Sequence, residues 1–276
     1  MNMISSKLSC LHGTPDVGFQ LVLRLSGSPV LCPDAASRRG FARVVLAVGK
    51  DRGLIAFGAA DTHGHILTIA DRTVAGELAQ AVEVALHRVL PSTARFLPVD
   101  ITPVTDQPHL VHCFRYVQRN AAHHGVLDPL ATEASSTHDL LGLRCISPWL
   151  GARVRSALPR THRDELTALL GMPSLALTGE PTPATLAQAA AAVIGRAELK
   201  GEDRMAVDAR VAAVALVKET WRFEMIARSL GTGVRTVQRY ALRAPRPYLL
   251  ACLRRHLAWV NAAAAVPDPL LTRRTG

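Results

Sequence analysis

Apolar residues recur along this chain with two periods, and the periods alternate in order. Residues 17–25, VGFQLVLRL, alternate in part and predict a strand. A loop with Gly27, Ser28, Pro29 and Pro33 follows, and Asp34 is placed to cap a helix over AASRRGFARVVLAVGKD, with Gly53 as its stop. LIAFGAA (54–60) and HILTIA (65–70) predict two short strands joined at Asp61-Thr62. Thr73 is the expected cap of a helix, VAGELAQAVEVALHRVL, stopped by Pro91. RFLPVDITPV predicts a further strand. Pro108 stands at the start of HLVHCFRYVQRNAAHH, a helix closed by Gly125. The order βαββαβα predicts an α+β fold: a ferredoxin-like antiparallel sheet with two helices on one face and one further helix.

Beyond this the pattern turns wholly helical. Residues 146–160, with Pro148, Gly151 and Pro159, read as a connector, and THRDELTALLG as a short helix. MPSLALTGEPTP is a loop, and the domain boundary is expected near 172–183. Thr182 or Thr185 is the expected cap of the next helix. Helices are predicted at about 185–194, 205–219, 223–230, 234–242 and 247–262, with Pro267 and Pro269 ending the last. The expected organisation is 1–146, a connector and linker over 147–183, and a helical domain over 184–276.

Composition narrows the class. A chain of 276 residues fits two domains at roughly 100–200 residues each. With 49% hydrophobic and 20% charged residues it has the material for a sizeable core and is not disordered. No apolar run reaches the roughly 18 residues of a membrane span. The first residues lack a basic region followed by an apolar stretch, so a soluble, cytoplasmic protein is expected, with no signal peptide and no membrane partner. Five scattered cysteines, Cys10, Cys32, Cys113, Cys145 and Cys252, form no CxxC pair and predict free, mostly buried thiols.

The net charge of +10 is uneven. Residues 1–145 carry 13 basic against 12 acidic side chains, residues 146–276 carry 19 against 10, and only Lys7, Lys50, Lys200 and Lys218 are lysines. Arginine matches phosphate through a fixed fork of donors. The basic half therefore points to nucleic acid, against the plainer reading of solubilising charge.

Within that half FEMIARSLGTGVRTVQRYAL reads as a helix-turn-helix over 223–242. Ala227 is small where the helices would cross, and Gly231 stands at the turn, where a left-handed backbone is wanted. Ile226, Leu230, Val234 and Val237 supply apolar contacts. Arg235, Thr236, Gln238 and Arg239 are the outward positions of the second helix, suited to base edges in the major groove. Arg222, Arg228 and Arg243 are assigned to phosphates. From 204 to 260 there are 11 basic residues against three acidic ones. The alternative is a plain helical hairpin with a charged face. TLAQAAAAVIGRAELKGEDRMAVDARVAAVALVKETWRFEMIARSLGTGVRTVQRYA also resembles domain IV of the replication initiator DnaA over about 185–245. That resemblance implies duplex DNA as a partner. No GxxxxGK[ST] ATPase motif accompanies it.

Two features of the first half could carry chemistry. His63 and His65 lie two apart at the start of a strand, so both rings can meet one divalent cation, although many such pairs are surface accidents. On the later helix His112, Tyr116 and Asn120 form a polar stripe displaced from the apolar stripe Leu110, Phe114, Val117 and Ala121. A buried, hydrogen-bonded tyrosine is the bland alternative. LIAFGAADTHGHILTIA, FRYVQRNAAHHGVL and SSTHDLLG, in this order, resemble three segments of the single-tyrosine HUH transposases, in particular the branch associated with repetitive extragenic palindromes. The resemblance spans roughly 15–145.

It implies Mg²⁺ or Mn²⁺ held by His63, His65 and Asn120, with Tyr116 as the nucleophile that nicks single-stranded hairpin or palindromic DNA. A 5′-phosphotyrosine would form, and the strand could be rejoined. Both monomers and homodimers that exchange the tyrosine helix occur among such proteins. The expected setting is cytoplasmic and nucleoid-associated. The chain departs from the family pattern at Gly64, where a bulky apolar residue is usual, at Asp61-Thr62 and at Ala121. A strand glycine is expected to loosen the ligand geometry. A non-catalytic DNA-binding regulator of transcription or replication is the alternative function. His109, His112, His123 and His124 carry no assigned role, and His87 and His138 are read as surface residues.

Overall fold

The computed structural model describes residues 16–60, 62–125, 129–169 and 181–264. Cys10, Asp61, most of the expected boundary at 172–183 and the prolines at 267 and 269 lie outside the described residues. The fold is α+β, with one four-stranded antiparallel sheet and twelve α-helices among those residues. No described helix is long and apolar enough to cross a membrane.

The first half runs β1 (Gly18–Arg24), α1 (Ala35–Gly49), β2 (Leu54–Ala60), β3 (His63–Thr68), α2 (Arg72–Leu86), β4 (Asp100–Val104) and α3 (Gln107–Gln118), in the expected order. The strands lie β2-β3-β1-β4 across the sheet. Asp34 caps α1 by accepting from the Ser37 amide at 2.7 Å, while the Ser37 hydroxyl accepts from the Asp34 amide at 3.1 Å. The cap of α2 is Asp71, two residues before the expected Thr73. The long strand expected from RFLPVDITPV shortens to β4, because Phe96 makes only an isolated bridge to Leu25. Leu21 and Leu23 are fully buried on one face of the sheet, and the α1 and α2 side chains Phe41, Val45, Leu78 and Val82 join the same core.

The expected single helix from Pro108 to Gly125 breaks at Arg119. The residue has φ −94° and ψ 2°, and α4 (Asn120–His123) follows it. A 3-10 turn, Pro129–Ala134, leads to α5 (Thr137–Leu141). The stretch read as a connector forms α6 (Pro148–Ala157), with α7 (Arg163–Leu169) after it. Pro148 sits at the start of α6, where its missing N–H costs nothing. Leu150, Val154, Leu158 and Leu166 are buried in the first core, so this segment packs as part of the first half.

The second core is built from α8 (Pro183–Val193), α9 (Arg204–Val217), α10 (Phe223–Ser229), α11 (Val234–Ala241) and α12 (Pro247–Ala264). Both threonine candidates cap α8, exchanging hydrogen bonds at 2.8 and 3.2 Å. The halves meet along a polar and aromatic seam. Arg39 of α1 donates to Glu133 at 2.9 and 3.1 Å and to the carbonyls of Arg196 and Ala197 at 3.1 and 3.2 Å. The far end of α12 places Trp259 in the first core. His138, expected on the surface, is buried there. Its ring meets Trp259 at 4.5 Å and His256 at 5.8 Å between centroids.

Candidate functional site

β3 lies between β1 and β2, so its side chains alternate between two covered faces. His63 and His65 share one face with their cross-strand partners Arg24 and Val22 on β1 and Ala60 and Gly58 on β2. Gly64 points the other way. A Cβ there would stand 3.0 Å from Phe41 Cζ and 3.3 Å from Leu31 Cδ2. The volume a bulky residue would occupy is thus filled from α1 and the preceding loop. The register runs unbroken through Gly64 on both sides.

The helix carrying Tyr116 lies close over β2. Gly58 makes this approach possible, since a Cβ there would fall 2.9 Å from the Val117 carbonyl oxygen. The segment SSTHDLLG secures it. The Ser136 hydroxyl lies 3.1 Å from both the Phe57 amide and the Phe57 carbonyl, and Gln118 Nε2 donates to it at 2.9 Å. Thr137 Oγ1 donates to Gln118 Oε1 at 2.5 Å. All three residues are buried. This polar clamp ties the end of α3 to the strand before the histidines. Sequence reasoning assigned none of the clamp a role.

Tyr116, half-buried, presents its ring edge to His65 at 5.1 Å between centroids, and to His123 at 5.4 Å. The rings of Tyr116, His65 and His63 thus stand together within one chain. The third imidazole is His124, which stands 4.5 Å from the His63 ring. Ligand atoms of His63, His65 and His124 lie within 4.8 Å of one another. Metal–nitrogen bonds of about 2.1 Å at a tetrahedral angle set two nitrogens about 3.4 Å apart, so the rings close by about 1–1.5 Å around an ion. His124 is exposed and has the freedom to do this. The signal for it was present: His124 continues the stripe Tyr116, Asn120 at the same spacing, and its amide donates to the Asn120 carbonyl at 3.1 Å.

Asn120, the expected third ligand, is 1% exposed, and neither of its amide atoms has a hydrogen-bond partner among the described residues. His65 Nε2 is likewise buried without a partner, while Nδ1 is 3.1 Å from the Gln20 amide. Burial, then the neighbouring His63, His124 and Arg24, push the His65 pKa down to about 3, so the ring is neutral and its lone pair available. An orphaned Nε2 on His65, one of three converging imidazoles, fits a bound cation. Nitrogen donors favour a transition ion such as Mn²⁺ over Mg²⁺, which takes oxygen.

In the second half the two helices predicted over 223–242 form, as α10 and α11. Gly231 has φ +59° at the turn, and Ile226, Ala227, Leu230 and Val237 are buried beneath it. Arg235, Gln238 and Arg239 are exposed and Thr236 half-buried along α11. Arg222, Arg228 and Arg243 are exposed as well. Arg243 stands 3.8 Å from Asp208, which also pairs with Arg246 at 2.7 Å, so part of this charge is already balanced. No family model, curated protein or solved structure matches the chain.

Proposed function

We propose that the chain nicks and rejoins single-stranded DNA through Tyr116, and that its helical half docks on duplex DNA. The carrying observation is the convergence of Tyr116 with His63, His65 and His124 on one face of the sheet, from positions up to 61 residues apart. The strand order β2-β3-β1-β4, with helices in both crossovers, supports reading the sheet as ferredoxin-like. A divalent ion bound by the imidazoles, with Asn120 as a further candidate, would neutralise a non-bridging phosphate oxygen as a Lewis acid.

The chain's own groups do the rest. The clamp from Ser136 to Gln118 holds α3, and so Tyr116, over β3. The phenol oxygen bonds to phosphorus and loses its proton, the bond from phosphorus to the 3′ oxygen breaks, and that oxygen leaves as a hydroxyl. The product is a 5′-phosphotyrosine that keeps the ester energy for resealing. Arg24, exposed beside His63, adds positive charge where a phosphate would arrive. The exposed arginines of α10 and α11 support a duplex-binding role whose affinity falls steeply with salt.

Labelled hairpin DNA incubated with the full chain and Mn²⁺ tests this reading. Wild type is expected to give a covalent protein–DNA band, and Tyr116→Phe none. Identical behaviour of the two removes Tyr116 as nucleophile and leaves a DNA-binding regulator.

A further inference from the structure

Gln20 sits on β1 and faces the same side of the sheet as the two histidines, because its cross-strand partner is Leu67, two residues past His65. Its amide reaches Nδ1 of His65 at 3.1 Å. The other ring nitrogen, Nε2, is buried and has no hydrogen-bond partner among the described residues. His63 packs against this ring at 4.8 Å between centroids and Tyr116 at 5.1 Å. Val22, directly opposite His65 on β1, is apolar and cannot direct the ring.

Imidazole chemistry restricts what the contact can be. A neutral ring carries one N–H and one lone pair. If the glutamine nitrogen donates to Nδ1, the ring proton sits on Nε2, where no described residue supplies an acceptor. If the amide turns by half a rotation, its nitrogen and oxygen exchange places at almost no change in shape. The oxygen then accepts from Nδ1–H, and Nε2 keeps its lone pair. Only this second arrangement lets His65 ligate through the buried nitrogen.

We propose that Gln20 is a positioning residue that holds His65 in its Nδ1–H form, so that Nε2 meets a divalent cation shared with His63 and His124. The inference rests on the metal-assisted reading above and deepens it. A glutamine can partner either ring form, so His65 keeps a hydrogen bond before and after a cation arrives. An apolar residue partners neither, and a carboxylate only the Nδ1–H form. The sheet register places this side chain; the choice of amide is what the cation site uses.

The experiment titrates Co²⁺ into the full-length wild type, Gln20→Met and Gln20→Glu, read by calorimetry and by visible absorption, with a metal-free thermal melt of each. Wild type is expected to bind one Co²⁺ per chain. Gln20→Met, close in length but unable to accept from the ring, is expected to bind about 10–100-fold more weakly. Gln20→Glu, which still accepts from Nδ1–H, is expected to stay within about threefold of wild type or bind more tightly. Nitrogen-15 spectra of the Zn²⁺-loaded wild type are expected to show His65 protonated at Nδ1 and coordinated at Nε2, a readout that needs no variant. Equal affinity in wild type and Gln20→Met, coordination through Nδ1, or a loss that Gln20→Glu fails to recover overturns the role of Gln20 and leaves the proposed reaction standing. A wild type that binds no Co²⁺ overturns the cation site itself, and the role of Gln20 with it.

Discussion

Asn120 is the residue whose energetics and proposed chemistry pull in opposite directions. A buried amide without partners costs about 1–3 kcal/mol for each unsatisfied group, and both of its amide atoms are in that state. Replacing it by leucine, similar in volume and without polar atoms, should stabilise the metal-free protein by about 1 kcal/mol or more. The same change should weaken Mn²⁺ binding if the amide is a ligand. Urea unfolding with and without Mn²⁺ reads both effects. A destabilised metal-free Asn120→Leu would mean that the amide is already satisfied. The sequence marked Asn120, Tyr116, His63 and His65 because each lies on a periodic element. It did not single out His124, although that residue continues the stripe at the same spacing, because His109, His112 and His123 crowd the same stretch and no local rule ranks one histidine above another. His138 was misplaced for a different reason. Its partners His256 and Trp259 lie more than a hundred positions away, and no local period records such a contact.

The strands and helices themselves were largely legible, because strand alternation and capping act locally. Asp34, Thr182 and Gly231 stand where the local rules put them. The misses came from choices between near neighbours, Asp71 against Thr73, and from reading Pro148 as a breaker when it opens a helix. What no local rule reveals is how closely two elements approach. Gly58 shows why this matters to the site. Its missing side chain is what allows α3 to lie against β2, with the Val117 carbonyl 2.9 Å from where a Cβ would be. Gly58→Ala sets a methyl group against backbone, so the helix must lift by several tenths of an ångström. Such overpacking typically costs about 1–3 kcal/mol. Tyr116 precedes the displaced carbonyl, so adduct formation should fall about tenfold or more even in the protein that remains folded. Gly64→Ala meets side-chain atoms of Phe41 and Leu31 at 3.0–3.3 Å, which can give way, and should cost less on both counts. Melting temperature and adduct yield, measured for both variants, check the order. A Gly58→Ala protein with undiminished yield would show that the helix position does not control the tyrosine.

The two halves share a seam in which the charges are paired and the imidazoles are buried. Arg39 with Glu133 and Arg144 with Asp139 are ion pairs shielded from water. Between them His138 and His256 pack on Trp259, and His256 Nδ1 donates to the Leu143 carbonyl at 3.2 Å. Burial first, then the nearby arginines, hold the His138 pKa well below 6.5 and that of His256 at about 3. The sign of the linkage follows. Both rings stay neutral when folded but take up a proton near pH 6.5 when unfolded. The unfolded chain therefore binds more protons below that pH, and acid favours it. Stability is fully present above the unfolded value and is lost as pH falls below it. Each ring held neutral in the folded chain costs stability on the order of 1 kcal/mol between about pH 7.5 and 5.5. His65, also held near 3, adds its own share, so the comparison of wild type with His256→Asn isolates one seam imidazole. Asparagine can keep the donor to Leu143 and does not titrate. Urea unfolding of both proteins across that range should show the variant losing on the order of 1 kcal/mol less than wild type. Parallel pH profiles would mean that His256 takes up its proton in the folded chain, and the seam would then not be the dry junction through which α12 joins the sheet to the helices of the second half.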